Sequence, residues 1–375
     1  MELLKEKLRS LLASAGIQIN GDNPWDIQLH DERWYERALR EQNLGLGESY
    51  MEGWWDCDQL DVFFDRLIRA QLCGKLRTSF GERIRLLTGL LCNLQKCSRA
   101  RIVAKRHYNL GNDLFASFLD PNWQYSCGYF QRTTSLEQAQ RDKLAMICGK
   151  LELKESDHLL DIGCGWGGLA KYAASHYGCR VTAINISQPQ LEFAREFCQG
   201  LPVECIDRDY RSLSGCYDKI VSVGMFEHVG WRNYRSFMEV VHRCLKPEGL
   251  CLLHTIGGDT SKTSADPWIS KYIFPNGMLP SLAQISKASE RLMTLEDVHN
   301  IGTHYDPTLM AWNAGFQRAW DGLKETYDKR FKRMWEYYLL SCAGGFRSRN
   351  IHLWQILMSR FGSCRASPEC RPYVL

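Results

Sequence analysis

The chain has 375 residues, 47 Lys+Arg against 43 Asp+Glu, and a formal net charge of +4. Its 45% hydrophobic and 24% charged residues exclude disorder, collagen and coiled coil, and its length allows one large domain or two of ordinary size. The near-neutral total hides a segregation: residues 1–64 carry 13 acidic and 6 basic side chains, residues 65–106 carry 2 acidic and 11 basic ones. No apolar run approaches the roughly 20 residues that span a bilayer. The N-terminal MELLKEKLRSLLASAGI alternates charge with leucine and has no signal-peptide core, so a cytoplasmic protein is expected. The 16 cysteines are scattered, and no second pair joins Cys92 and Cys97, so neither a zinc site nor a disulfide framework is expected.

In chain order, the first element is an amphipathic helix with Leu4, Leu8, Leu11 and Leu12 on one face. Ile17–Gly21 and Trp25–Leu29 read as short strands around a Gly-Asp-Asn-Pro turn, and Asp31–Gln42 as a helix. The glycines of LGLGESYMEGWWDCDQLDVFF suggest a tight entry, and its Trp54, Trp55, Phe63 and Phe64 a packed aromatic cluster. These residues form a small α+β N-terminal domain, 1–75, followed by a basic linker helix, 76–100. In that helix Ile84, Leu87, Leu91 and Leu94 recur at helical spacing beside Arg83 and Arg85. Packing on a neighbour and contact with an anionic surface are both open to it.

Residues 101–375 form the larger domain. From about 156 to 258 it alternates strands (157–162, 181–186, 203–206, 219–223, 250–255) with helices (167–176, 189–198, 233–245). That alternation predicts an open, mostly parallel α/β sheet with helices on both faces. The remainder is aromatic-rich and mostly helical, with lid elements around Trp268–Pro280. The motif LLDIGCGWGG ends a strand at Asp161 and places Gly163, Gly165 and Gly167 at alternate positions, so the backbone turns sharply against a ligand. It resembles motif I of class I S-adenosylmethionine-dependent methyltransferases. The second strand, AINISQPQ, lacks the acidic residue that binds ribose in that superfamily, which leaves the hydrogen bonds to Asn185 and Gln190. Asp209 and Tyr210 stand where the edge and face of the adenine are met.

Two further strands end at FEH, with Glu227, and LLHTIG, with His254, both at the ligand-binding edge of such a sheet. Together with HYNLGNDLF, QYSCGYF, KYIFPNGMLPS, YDPTLMAW and CAGGFR, these segments resemble the cyclopropane-fatty-acyl-phospholipid synthases. The likeness runs from about residue 44 to about 360, and the N-terminal unit points to the long bacterial form. The resemblance implies a seven-stranded class I methyltransferase domain with acyl-channel insertions over 259–340. It implies methylene transfer from S-adenosylmethionine to the cis double bond of phospholipid acyl chains, with bicarbonate as general base. The bicarbonate ligands carried over are Cys127, Glu227, His254, the Ile256 backbone and Tyr305. Tyr125 and Ser126 touch the methionine end of the cofactor, and Cys342 is a further position of interest.

The chemistry suits those residue types. An alkene attacking a sulfonium methyl becomes a carbocation, which a base must deprotonate while water is kept out. Methyl branching, methylation of a small amine, and a non-catalytic lipid carrier are the alternatives. The resemblance also implies a homodimer, lipid as partner and no nucleic acid. A peripheral protein on the inner membrane face would use the basic segment 65–106, where each Lys or Arg near an anionic leaflet contributes about 1 kcal/mol.

Overall fold

The computed structural model describes residues 2–72 and 111–363. The 76–100 linker, most of the basic segment and both domain boundaries at 75 and 100 lie outside them.

The N-terminal unit contains α1 (Glu2–Ala13), β1 (Gln28–Leu29), α2 (Trp34–Glu41), α3 (Asn43–Met51), β2 (Trp55–Asp56) and α4 (Leu60–Arg69). Leu8 and Leu12 are buried on the inner face of α1. The two strands expected around residues 17–29 reduce to one bridge, Ile19 to Ile27, and to β1, which pairs antiparallel with β2. The reason is Asp26. Its carboxylate accepts the Gln18 N–H at 2.7 Å and the Asn23 N–H at 3.0 Å, closing the loop through a side chain in place of a ladder. Gly45 and Gly47 lie inside α3. A Cβ at Gly47 would overlap the Trp268 indole, and one at Gly45 the Arg37 carbonyl. They are small so that α3 can be approached closely.

The larger unit runs α5 (Asn112–Ala116), α6 (Leu136–Lys150), β3 (His158–Ile162), α7 (Gly168–Tyr177), β4 (Arg180–Asn185), α8 (Gln188–Phe197) and β5 (Val203–Asp207). It continues with β6 (Tyr217–Val223), α9 (Tyr234–Cys244), β7 (Leu245–Gly257), α10 (Pro267–Tyr272), α11 (Leu282–Ser289), β8 (Met293–Asn300), α12 (Tyr305–Leu323), α13 (Lys329–Arg347) and β9 (His352–Arg360). The sheet order is β5-β4-β3-β6-β7-β9-β8. The first five strands are parallel, and β9 runs antiparallel to both neighbours. Parallel strands covered on both faces carry continuous apolar runs, as Leu159–Leu160 and Leu250–Leu253 do. One face packs Phe237, Val241 and Ile285; the other packs Leu144, Ala173 and Leu191.

This is the seven-stranded α/β sheet expected. Within 259–340, α11 and β8 belong to the sheet layers. Only 259–281 and the long helices α12 and α13 stand outside them.

The two units share one core, in which Trp55, Phe63 and Phe64 join Trp335, Tyr337 and Phe346. The acidic surplus of the N-terminal unit meets basic groups of the larger one at Asp61–Arg347 (2.6 Å), Asp56–Arg333 (2.7 Å) and Glu48–Lys271 (2.5 Å). Among the described residues no helix is long and apolar enough to cross a membrane.

Candidate active site

The chain reverses its direction across the sheet between β3 and β6, and a cavity opens beyond the carboxyl ends of those strands. The turn after β3 holds Gly163, Gly165 and Gly167 at φ of 84°, 55° and 84°. At Gly163 a Cβ would also lie 2.7 Å from Met225, so a side chain is excluded twice. Asp161, Gly163, Gly165, Asn185, Gln190, Asp209, Tyr210, Tyr125 and Ser126 all line this cavity.

Gly167 does not. It caps α7, and its missing Cβ lets Ala194 and Cys198 of α8 approach to 3.0 and 3.2 Å of that position. Asn185 is more committed than its sequence suggests. Its amide donates to Gly165 O at 3.2 Å and to Gln190 Oε1 at 2.9 Å, while its oxygen accepts the Ile186 N–H at 2.8 Å. Asp209 is likewise engaged, by Arg211 Nε at 2.8 Å and Nη2 at 2.7 Å. Asp161 is fully enclosed, its Oδ2 has no hydrogen-bond partner among the described residues, and burial pushes its carboxyl up to about 7. Trp123, Met225 and Asn276 complete the wall; an apolar residue in a loop carries no local signal of such a role.

A second cavity of ≈ 800 Å³ lies alongside. It shares Tyr125, Gly224 and His228 with the first, so the two meet there. Glu227, Ile256, Tyr305 and Cys342 line it near that junction, and Leu8, Leu12, Trp34, Leu46 and Phe64 extend it into the N-terminal unit. The sequence reading missed His228 as a wall residue. Burial holds its imidazole down at about 4, so it is neutral.

The Glu227 carboxylate accepts the Ile256 N–H at 2.6 Å through Oε1, and among the described residues Oε2 has no partner. Burial raises it to about 7, against the lowering effect of that backbone bond. His254 lies on β7 two residues before Ile256, hence on the same face of the sheet. Gln355 Nε2 donates to its Nδ1 at 3.3 Å, which leaves the proton on Nε2, and Nε2 has no partner among the described residues. Burial drives His254 far below its ordinary value, so it stays neutral. The Tyr305 phenol is raised by burial first, then by Cys127, Tyr125, Glu227 and Cys342, which surround it. Its ring stacks on Phe346 at 4.4 Å.

Cys127 is completely enclosed beneath this group. Its thiol lies 3.1 Å from Gly128 O, and burial pushes it well above the ordinary thiol range. It is a neutral thiol. Cys342 sits on the wall of the second cavity, its thiol pushed up to about 12 by burial, which makes it a poor nucleophile.

The family model for mycolic acid cyclopropane synthetase matches residues 95–356. The chain belongs to that family. It is 53% identical over 350 residues to the cyclopropane-fatty-acyl-phospholipid synthase of Escherichia coli (strain K12), covering 93% of this chain and 92% of that protein. The crystal structure of mycolic acid cyclopropane synthase CmaA1 complexed with SAH and CTAB superposes with a TM-score of 0.64 at 31% identity, over 69% of this chain and 97% of that one. Coclaurine N-methyltransferase, at 22% identity, shares the fold with a TM-score of 0.70 over 84% of this chain and 98% of that one. This member of the synthetase family is an S-adenosylmethionine-dependent methyltransferase of class I fold.

Proposed function

We propose that the protein transfers a methylene group from S-adenosylmethionine to the cis double bond of an acyl chain in a membrane phospholipid. The observation that carries this is the pair of adjoining cavities. One is built on a glycine turn and polar side chains. The other is largely apolar, and the two meet at Tyr125, Gly224 and His228. The relatives of the chain carry names that agree with it.

In this reading Asp161, Ser126 and Tyr125 hold the amino-acid end of the cofactor, and Asp209 and Tyr210 the adenine. Bound S-adenosylmethionine supplies the electrophilic methyl. The alkene takes that methyl as CH3+, and loss of one proton from it closes the ring, a net gain of CH2. Neutral His228 places no positive charge beside the cation formed on the lipid. The aromatic faces of Tyr125 and Tyr305 stabilise that cation, and the apolar wall excludes the water that would quench it.

Bicarbonate would supply the base, held by Glu227 and Tyr305 of the lipid-cavity wall. His254 and Cys127, buried and lining neither cavity, would act through them, and Glu227, near 7, carries the shared proton that lets two anions lie together. Lys262 is the one Lys or Arg lining the lipid cavity among the described residues, and it is exposed at its rim, near where a phosphodiester would lie. A homodimer and salt-sensitive docking of residues 65–106 on the anionic inner leaflet, from the cytoplasm, complete the proposal.

The test is incubation with labelled S-adenosylmethionine and unsaturated phospholipid vesicles. A mass gain of CH2 with loss of the alkene is expected, slowed when bicarbonate is removed. A branched methyl product overturns the ring-closing reading. A rate indifferent to bicarbonate overturns the assigned base.

A further inference from the structure

Three polar side chains of helix α6 are 0% exposed, Gln140 and Lys143 about one turn apart and Lys150 at its end. The first two reach the loop that walls the cofactor cavity. Gln140 Nε2 donates to Ser126 O at 2.7 Å. Lys143 Nζ donates to Gln124 Oε1 at 2.5 Å and to Ser126 Oγ at 2.9 Å. Gln124 and Ser126 line the cavity; Lys143 does not. The loop is also tied by Asp120, which accepts the Asn122 N–H at 2.8 Å and the Gln124 N–H at 2.9 Å.

An ammonium has three donors and no acceptor. The Ser126 oxygen therefore accepts from Lys143, and the hydroxyl's own hydrogen must point elsewhere. No protein acceptor takes it among the described residues, and the open side is the cavity. The same logic fixes Gln124, whose oxygen faces Lys143 and whose Nε2 then faces Asn122 O at 3.0 Å. Without the ammonium the Ser126 hydroxyl could turn either way, as donor or acceptor. The groups that bear electrostatically on Lys143 are Asp120, Cys127, Asp161 and Cys148. Burial lowers it to about 8, so it remains mostly protonated at pH 7.

We propose that Lys143 is a positioning residue for the cofactor: it orders the Ser126 hydroxyl as a donor to the α-carboxylate of the ligand's amino-acid end. This rests on the reading of the first cavity as the S-adenosylmethionine site. The orphaned Oδ2 of Asp161, on the same wall, is the complementary acceptor for the α-ammonium.

The experiment is calorimetric binding of two ligands to the full chain at pH 7. S-adenosylhomocysteine has the amino-acid end; 5′-methylthioadenosine lacks it. Lys143→Met and Ser126→Ala are each expected to weaken S-adenosylhomocysteine about tenfold, the scale of one charge-assisted hydrogen bond. Both are expected to leave 5′-methylthioadenosine within about twofold, and the double variant to bind no more weakly than the weaker single. Equal losses on both ligands, multiplying losses in the double variant, or unchanged affinity in Lys143→Met would each overturn the proposal. If Lys143→Met does not fold, Lys143→Gln carries the same comparison, with a smaller loss expected because its amide restores a donor; no loss selective for the amino-acid end overturns the proposal there too. Failure of the wild type to bind either ligand would sink the cofactor reading itself, and the role of Lys143 with it.

Discussion

Replacing Glu227 by Gln should stabilise the protein at alkaline pH while ending catalysis. The carboxyl is buried, has one backbone donor on Oε1 and none on Oε2, and sits at about 7 instead of 4.5. Between those two values the folded state holds a proton that the unfolded state has lost. Stability therefore falls as pH rises from 4.5 to 7 and levels off above it. Moving the carboxyl of a group only 7% exposed that far corresponds to about 3 kcal/mol. Gln keeps the acceptor for Ile256 and has no charge to bury. Thermal melts of both proteins from pH 4.5 to 8.5 should coincide at the acid end. They should separate above pH 7, with the Glu227→Gln variant melting several degrees higher. Ring formation should be lost, and S-adenosylhomocysteine binding kept within about twofold, because Glu227 does not line the first cavity. A melting difference that does not change with pH, or a less stable variant at pH 8, would refute the assignment of a buried, unpaired carboxylate.

Cys342→Ser should retain activity within about twofold, since a thiol near 12 is neither nucleophile nor base at pH 7; a loss of a hundredfold in a steady-state assay would restore Cys342 to the mechanism. Leu12→Phe narrows the N-terminal end of the lipid cavity. It should shift the product profile from mixed-chain vesicles towards shorter acyl chains, and an unchanged profile by mass spectrometry would detach α1 from chain selection. Arg347→Met removes the partner of Asp61 at 2.6 Å and of Asp306 at 2.8 Å. It should cost about 3 kcal/mol, because two partly buried carboxylates lose their cation; urea unfolding checks this.

Much of the site was legible because its chemistry is local. A strand ending in Asp161 and followed by three alternate glycines can do little but turn under a ligand, and so the cofactor wall was readable residue by residue. Glu227 was legible as a cavity residue because strand ends in a parallel sheet share one edge, whereas His254, on the neighbouring strand, lines neither cavity. Legibility failed where a residue's role is set by something distant in sequence. The tightness read at Gly45 and Gly47 has distant partners: both are helix positions cleared for Arg37 and Trp268. Gly167 belonged to the motif and packs a helix instead. Strand β8 shows no clean alternation, because it is an edge whose outer face is half exposed and whose register shifts between Leu295 and Asp297. Nothing local to Lys143 distinguishes it from a solvated helix charge; its burial beneath Ser126 does.

The sequence by itself determined the order of strands and helices from about 157 to 255, the glycine turn and the types of group at the strand ends, since these follow from periodicity, backbone sterics and short-range hydrogen bonding. Only the tertiary structure decided that the N-terminal unit supplies one wall of the lipid cavity. It also decided that the acidic surplus seen in the first 64 residues is met in part by Lys271, Arg333 and Arg347. Those pairings join residues more than 200 positions apart, and only the shared aromatic core of α3, α4 and α13 brings them within reach.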